Sequence, residues 1–267
     1  MSETSVTWWG HSTMWLADSG VTLLTDPLLT MRLIHLRRVA GAAPALAGAP
    51  DAVLISHLHA DHCHLPSLRA LPGEPRLIVP RGAAGFVAAG LGRAAAERCV
   101  ELAPGEQTTV GAVTVRAVEA AHPGGRGPWS KVQAVALGFV VEGASRTWYA
   151  GDTGLFDEMA DLAPLDLALI PVGGWGPTLH AHGHLDAERG AEALRRVRAR
   201  WAVPVHYGTF WPVGMGRFRR NMCTDPGTEF ARIAAEAAPQ SQVRVLDQGE
   251  TLTIKLAGDT VLPEDPA

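Results

Sequence analysis

Ser56-His57-Leu58-His59-Ala60-Asp61-His62-Cys63-His64 is the stretch on which the reading of this chain turns. It follows Asp51-Ala52-Val53-Leu54-Ile55, a short apolar run with β-branched members that predicts a buried strand. Past the strand, four imidazoles and a carboxylate crowd into a few residues. Imidazole nitrogen and carboxylate oxygen suit zinc, iron or manganese. In an extended or turning segment His57 and His59 can point the same way, while Asp61 and His62 turn towards a second position. Burying so dense a cluster without an ion to pair with it would be costly. A solvated polar loop with incidental histidines is the competing reading; metal binding is the expectation.

On the N-terminal side, Val6 to Trp9, Thr13 to Ala17 and Val21 to Thr25 read as short strands. Gly10 separates the first two, Ser19-Gly20 turns between the second and third, and Asp26-Pro27 closes the set. Leu28 to Pro50 is less regular and leaves two readings open, a helix packed on the sheet or a flap over a site. Beyond the cluster, Leu65 to Leu71 predicts a short helix with Pro66 in its first turn. A strand at Arg76 to Pro80, a helix at Ala83 to Ala89 and a strand pair within Thr108 to Ala120, turning at Gly111-Ala112, lead to His122. Strands at Val135 to Val141 and Thr147 to Ala150 lead to Gly151-Asp152-Thr153-Gly154. A strand at Asp166 to Val172 and a helix capped by Asp186 precede Ala202 to His206. A helix near Thr228 to Ala237 and strands at Val243 to Leu246 and Thr251 to Leu256 complete the pattern. The halves share a layout, which predicts two sheets packed face to face with helices outside. It reads as a single domain over residues 1–267, with a loose tail from about 258.

Composition narrows the classes. Of 267 residues 47% are hydrophobic and 19% charged, enough for a packed core and against disorder. A net charge of −4 gives no general attraction to nucleic acid or to an acidic membrane, and leaves local basic patches open. Cys63, Cys99 and Cys223 show no CxxC spacing, so no disulfide framework follows and a reducing compartment fits. The start lacks a basic, apolar leader, and no stretch nears the roughly 18 apolar residues of a membrane span. A cytoplasmic protein is the expectation.

Four polar features follow directly on apolar strands: the 57–62 cluster, His122, Asp152 and His206. Strand ends at one sheet edge converge in many α/β sites. Together they offer seven ligands, enough for two ions. In this order, His57-x-His59-x-Asp61-His62, His122, Asp152 and His206 resemble the metallo-β-lactamase fold superfamily. Gly10-His11-Ser12-Thr13, Thr25-Asp26-Pro27, Gly151-Asp152-Thr153-Gly154 and His206-Tyr207-Gly208-Thr209-Phe210 resemble the branch with L-ascorbate-6-phosphate lactonase and N-acylphosphatidylethanolamine phospholipase D.

The resemblance implies an α+β fold, an αββα four-layer sandwich of two mainly antiparallel sheets with the site on the edge between them. It also implies one metal on His57, His59 and His122, a second on Asp61, His62 and His206, and Asp152 bridging them. Two divalent ions are expected, zinc first, with manganese or iron as alternatives. The activity implied is hydrolysis by a metal-bound hydroxide of a phosphodiester, or of a lactone or other ester, with Asp61 orienting the hydroxide or accepting its proton. The substrate would be a small molecule or lipid-like ester; no nucleic-acid partner is expected, and a homo-oligomer is compatible. His184 matches a histidine near the branch's site and is a candidate for touching substrate or leaving group. Arg126 either meets a phosphate or is a solvated loop arginine. His11 either hydrogen-bonds a ligand or is a turn residue. His64 stands where related chains often have Asp, and reads as a surface substitution. His180 and His182 read as loop residues, and most of Trp8, Trp9, Trp175 and Trp211 as core. The alternatives are a di-iron redox enzyme of the same fold, disfavoured because His59 stands where those proteins commonly have Glu, and a metal-binding module without turnover. Asp152, where many true lactamases use Cys, argues against antibiotic hydrolysis.

Overall fold

Alternation in the first strands sets the core. In β1 (Glu3–Trp8), Val6 and Trp8 turn inward; β2 (Met14–Asp18) and β3 (Val21–Thr25) repeat the pattern with Met14, Leu16 and Leu23. The computed structural model describes residues 3–46, 48–127, 130–173, 183–215 and 225–255. Within them β17 (Thr251–Lys255), β1, β2, β3, β6 (Ala52–Leu54), β7 (Arg76–Pro80) and β8 (Cys99–Leu102) form one seven-stranded sheet in that order. The second seven-stranded sheet runs β16 (Gln242–Val243), β14 (Ala199–Val205), β13 (Leu165–Pro171), β12 (Arg146–Tyr149), β11 (Leu137–Glu142), β10 (Val113–Glu119) and β9 (Gln107–Val110). Their inner faces interleave Val6, Leu16, Leu54 and Ile78 with Val115, Phe139, Leu167 and Val203.

Helices cover both outer faces. α1 (Leu65–Arg69), α2 (Ala84–Leu91) and α3 (Arg93–Glu97) lie over Leu24, Val53, Leu77 and Val79 of the first sheet. α4 (Ala187–Val197) and α5 (Pro226–Ala237) lie over Trp148, Ala168, Ile170 and Ala202 of the second. Strands buried on both faces read as unbroken apolar runs, which is why β6 and β13 stand out in the sequence. Asp186 caps α4, accepting the Arg189 N–H at 2.9 Å. The four-layer sandwich is as expected, but the sheets are mixed rather than mainly antiparallel. β3–β6–β7–β8 and β12–β13–β14–β16 are parallel, because helices or long crossovers join their strands.

Asp18 staples the two sheets. Its buried carboxylate accepts the Thr4 hydroxyl at 2.7 Å in the first sheet and the Ser145 hydroxyl at 2.9 Å between β11 and β12 in the second. Burial alone would raise its pKa, but these bonds and those from Ser19 and the Ala144 and Ser145 amides lower it.

Leu28 to Pro50 contains no helix among its described residues. β4 (Arg32–Leu33) and β5 (Leu36–Arg38) form a hairpin, and β15 (Phe210–Pro212) extends it to a three-stranded sheet. Leu28, Leu33, Leu36 and Phe210 pack together with Ala60, so the hairpin is a packed wall beside the histidine loop. Its period-two alternation was obscured by Ile34-His35 at the turn, where Gly or Asn would have signalled a hairpin. The expected loose tail lies outside the described residues.

Candidate metal centre

Four strands deliver the polar residues to one edge. β6 runs into Ser56-His57, β10 into His122, β12 into Asp152 and β14 into His206. Backbone bonds tie the resulting loops to one another: Leu137 N–H to Ser56 O at 2.9 Å, Leu58 N–H to Gly124 O at 3.0 Å, and His206 N–H to His11 O at 3.0 Å. His57, His59 and His122 lie together in one group, and Asp61, His62 and His206 with His11 in another. Asp152 reaches His62 through Oδ2 and His206 through Oδ1, both at 3.2 Å. All seven residues of the expected ligand set therefore meet in one place.

The partners behind each ring determine which nitrogen faces inward. His62 Nδ1–H donates to Asp26 Oδ2 at 2.6 Å, and His206 Nδ1–H to the Gly173 carbonyl at 3.0 Å. His122 Nδ1–H donates to the Gly183 carbonyl at 2.6 Å. His57 Nδ1–H donates to Ser56 Oγ at 2.9 Å, whose own proton goes to Asp26. The inward Nε2 atoms of neutral His57, His62, His122 and His206 thus carry lone pairs. His59 Nδ1 sits 2.9 Å from His57 Nε2 and 3.1 Å from His122 Nε2. At most one proton can be shared among those three nitrogens, so lone pairs would face each other.

On the other side, His62 Nε2, His206 Nε2 and Asp152 Oδ1 are buried and make no hydrogen bond of acceptable geometry. Buried polar atoms left without partners in such number call for positive charge between them, protons or metal cations. The donor set, imidazole nitrogen and carboxylate oxygen with four of the imidazoles oriented from behind, fits divalent metal ions.

The charge balance agrees. Burial works against an ionised Asp152, yet His206 and His62 hold it well below the usual carboxylate range; Asp61 is held low against burial by His62 and His11. Burial opposes a charged His62, but Asp152, Asp61 and Asp26 raise its pKa well above the ordinary value. Asp152 likewise lifts His206 to about 9 against burial. His57 is pushed well down by burial and then by His62. Protons at His62 and His206 answer the same carboxylates that cations would, so metal uptake would release them.

Two glycines shape the edge. Gly151, at φ +61°, lies against Ser56 just before Asp152, and a Cβ there would lie 2.7 Å from Ser56 Cβ. A Cβ on Gly173 would lie 2.0 Å from the His206 carbonyl oxygen, so only glycine lets its own carbonyl reach the His206 ring.

His11 is buried, and its Nε2–H donates to Asp61 Oδ2 at 3.0 Å. His184 stands at the mouth, Nδ1 3.6 Å from Asp152 Oδ2 and its ring edge-on to His122 at 4.6 Å between centroids. Arg126 Nη1 donates to the carbonyls of Leu58 at 3.0 Å and Cys63 at 2.8 Å, and its guanidinium lies over Phe86. That guanidinium fastens both ends of the histidine loop. His64 is buried rather than a surface substitution: its Nδ1 accepts from Ser67 and caps α1. His180, His182 and Trp175 lie outside the described residues.

Sequence reasoning gave Asp26 no part in the site, reading it as a strand stop and as a member of the Thr25-Asp26-Pro27 motif. This fully buried carboxylate accepts the Ser56 N–H at 2.8 Å, the Ser56 hydroxyl, His62 Nδ1–H and the Tyr149 hydroxyl at 2.5 Å. Its signal was an acid directly after an apolar strand, the same context that marked Asp152.

A family model described as the beta-lactamase superfamily domain matches residues 22–207. The chain belongs to the metallo-β-lactamase fold superfamily. A UPF0173 metal-dependent hydrolase of Nitratidesulfovibrio vulgaris is 29% identical over 259 residues, 94% of this chain and 96% of its own. The N-acyl-phosphatidylethanolamine-hydrolyzing phospholipase D 1 of Caenorhabditis elegans is 29% identical over 231 residues, 78% of this chain and 64% of its own. Among solved structures, a metallo hydrolase of Ignicoccus hospitalis matches with a TM-score of 0.71 at 22% identity, covering 95% of this chain and 99% of that one. At that identity the likeness concerns the fold. Membership together with the UPF0173 relative supports the coarse class, a metal-dependent hydrolase. Among the described residues no helix is long and apolar enough to cross a membrane.

Proposed function

We propose that this chain is a dinuclear metallohydrolase acting on a phosphodiester of a small or lipid-like molecule. The observation that carries the reading is the pair of ligand clusters with Asp152 between them, the inward nitrogens of His57, His62, His122 and His206 each oriented by a bond from behind. His57, His59 and His122 would hold one ion, Asp61, His62 and His206 the other, with Asp152 shared. When bound, two divalent ions supply Lewis acidity that acidifies water and polarises the substrate's oxygen. The phosphodiester preference rests on the similarity to the phospholipase D.

The chain's own residues do the rest. Asp61 is about one-fifth exposed and held ionised by His62 and His11, so its carboxylate is placed to accept a hydrogen bond from water and orient it at the mouth. His184 is kept neutral by burial, although Asp152 pulls the other way; its ring can donate to an oxygen of the substrate or leaving group. Arg126 contributes by fixing the Leu58–Cys63 loop.

The test loads the protein separately with zinc and with manganese, alongside a chelated control, and offers an aryl phosphodiester and an aliphatic lactone. Chelator-sensitive diester hydrolysis, lost together with bound metal in His59→Ala at unchanged fold, is the expected result. Lactone turnover alone would move the substrate class to lactones. Retained activity with retained metal in His59→Ala would overturn the site assignment.

A further inference from the structure

The hairpin and the chain around β15 present a surface that hydrolysis does not use. Register sets Arg32 opposite Arg37 across the hairpin, and Arg37 opposite Trp211 on β15. Arg32 and Arg37 are exposed while Leu33, Leu36 and Arg38 are buried, so the two exposed arginines share the outward face. Like charges directly opposite in an antiparallel pair are unfavourable. Among the described residues neither guanidinium has a carboxylate partner. The chain has 27 acidic residues, yet residues 27–50 and 206–215 contain none, so this end is basic within an acidic protein.

Apolar exposure coincides with that charge. Met31, Ile34, Val213 and Met215 are four of the five large apolar side chains exposed among the described residues. Ile34 is 81% exposed and sits at φ +50° in the turn. A β-branched residue is strained there, where Asn or Gly is favoured, so folding gives no reason for isoleucine. Val213 N–H donates to the His35 carbonyl at 2.9 Å, holding the second apolar loop against the hairpin tip.

We infer that this surface docks on an anionic lipid bilayer, Ile34, Val213 and Met215 entering the interface and Arg32 and Arg37 meeting headgroup phosphates. An exposed apolar tip flanked by arginine and tryptophan matches the chemistry of the bilayer boundary. A two-fold contact with a second copy would set Arg32 and Arg37 against themselves, which disfavours that occupant. The inner face of the same hairpin packs on Ala60, next to Asp61, and Phe210 meets the His11 ring edge-on at 6.0 Å. Docking therefore brings the mouth of the metal centre to the lipid surface. It goes beyond the hydrolase reading and does not depend on turnover.

Vesicle co-sedimentation of the full chain tests this, comparing phosphatidylcholine alone with phosphatidylcholine containing about one-third phosphatidylglycerol. Binding to the anionic vesicles only is expected. It should be lost when ionic strength rises from about 0.1 M to about 1 M and the screening length falls from about 10 to about 3 Å. Replacing both arginines, Arg32→Gln with Arg37→Gln, should weaken partitioning about 25-fold, roughly fivefold for each charge. Ile34→Asn should weaken it at an unchanged or higher melting temperature, because Asn suits the turn. His59→Ala should still sediment, which separates docking from the fate of the hydrolase reading. Failure of the wild-type chain to bind, equal binding to both vesicles, or an Ile34-dependent dimer that ignores vesicles would each overturn the inference.

Discussion

Replacing Asp26 by Asn tests whether one buried carboxylate holds both the fold and the metal centre together. Asp26 is fully buried and accepts from four donors: the Ser56 amide through Oδ1, and the Ser56 hydroxyl, His62 Nδ1–H and Tyr149 hydroxyl through Oδ2. Asparagine keeps the shape and the Oδ1 acceptor but sets an NH₂ against three donors. The Ser56 hydroxyl can rotate and His62 can move its proton to Nε2, so not all three donors need stay unsatisfied. Leaving one to two buried donors unsatisfied at about 1–3 kcal/mol each gives a loss of about 2–5 kcal/mol. Against a total stability of about 5–15 kcal/mol this is severe without being fatal. Tyr149→Phe removes one donor and leaves the carboxylate satisfied, so it should cost only about 1 kcal/mol. A His62 whose proton has moved to Nε2 has lost its inward lone pair, so zinc affinity should also fall about 10- to 100-fold in Asp26→Asn. Urea unfolding of chelated protein gives the first quantity and competition with a chromophoric chelator the second. If Asp26→Asn proved no more destabilising than Tyr149→Phe, or bound zinc as tightly as wild type, the role assigned to Asp26 would be wrong.

The acid side of the stability profile offers another check. Burial, and then His206, hold His11 down to about 4, whereas the unfolded chain titrates near 6.5. As pH falls through that window the unfolded state takes the proton first, so His11 makes the chelated protein lose stability between about 6.5 and about 4. Urea midpoints across that range should fall less steeply in His11→Gln; an unchanged slope would refute the assignment. Gly151→Ala places a Cβ at φ +61° against Ser56, at a cost of about 1–3 kcal/mol. It should also lower metal stoichiometry by shifting Asp152; full loading at wild-type affinity would count against the placement.

Much of the site was legible because metal-binding chemistry leaves local marks. His57, His59, Asp61 and His62 stand together, and His122, Asp152 and His206 each follow an apolar strand. Less legible were the groups behind them. Asp26 lies 36 residues from His62 in sequence and Tyr149 lies 123 from Asp26, and nothing local in either announces the contact. Arg126 shows the converse. Its charge in a glycine-rich loop invited a phosphate partner, yet the fold turns Nη1 onto two carbonyls of the histidine loop. His64 looked like a surface change only because its capping partner, Ser67, matters once α1 exists.

The sequence by itself determined most strands of the two large sheets, their apolar order and the residue types able to bind metal, since periodicity and ligand chemistry are properties of neighbours along the chain. Tertiary structure alone decided which nitrogen of each histidine faces inward, which carboxylate stands behind His62, and how the segment after Asp26 folds into a basic, apolar-tipped hairpin. Those depend on backbone carbonyls and side chains brought together from distant segments, and such distances in space are set only when the two sheets close on one another.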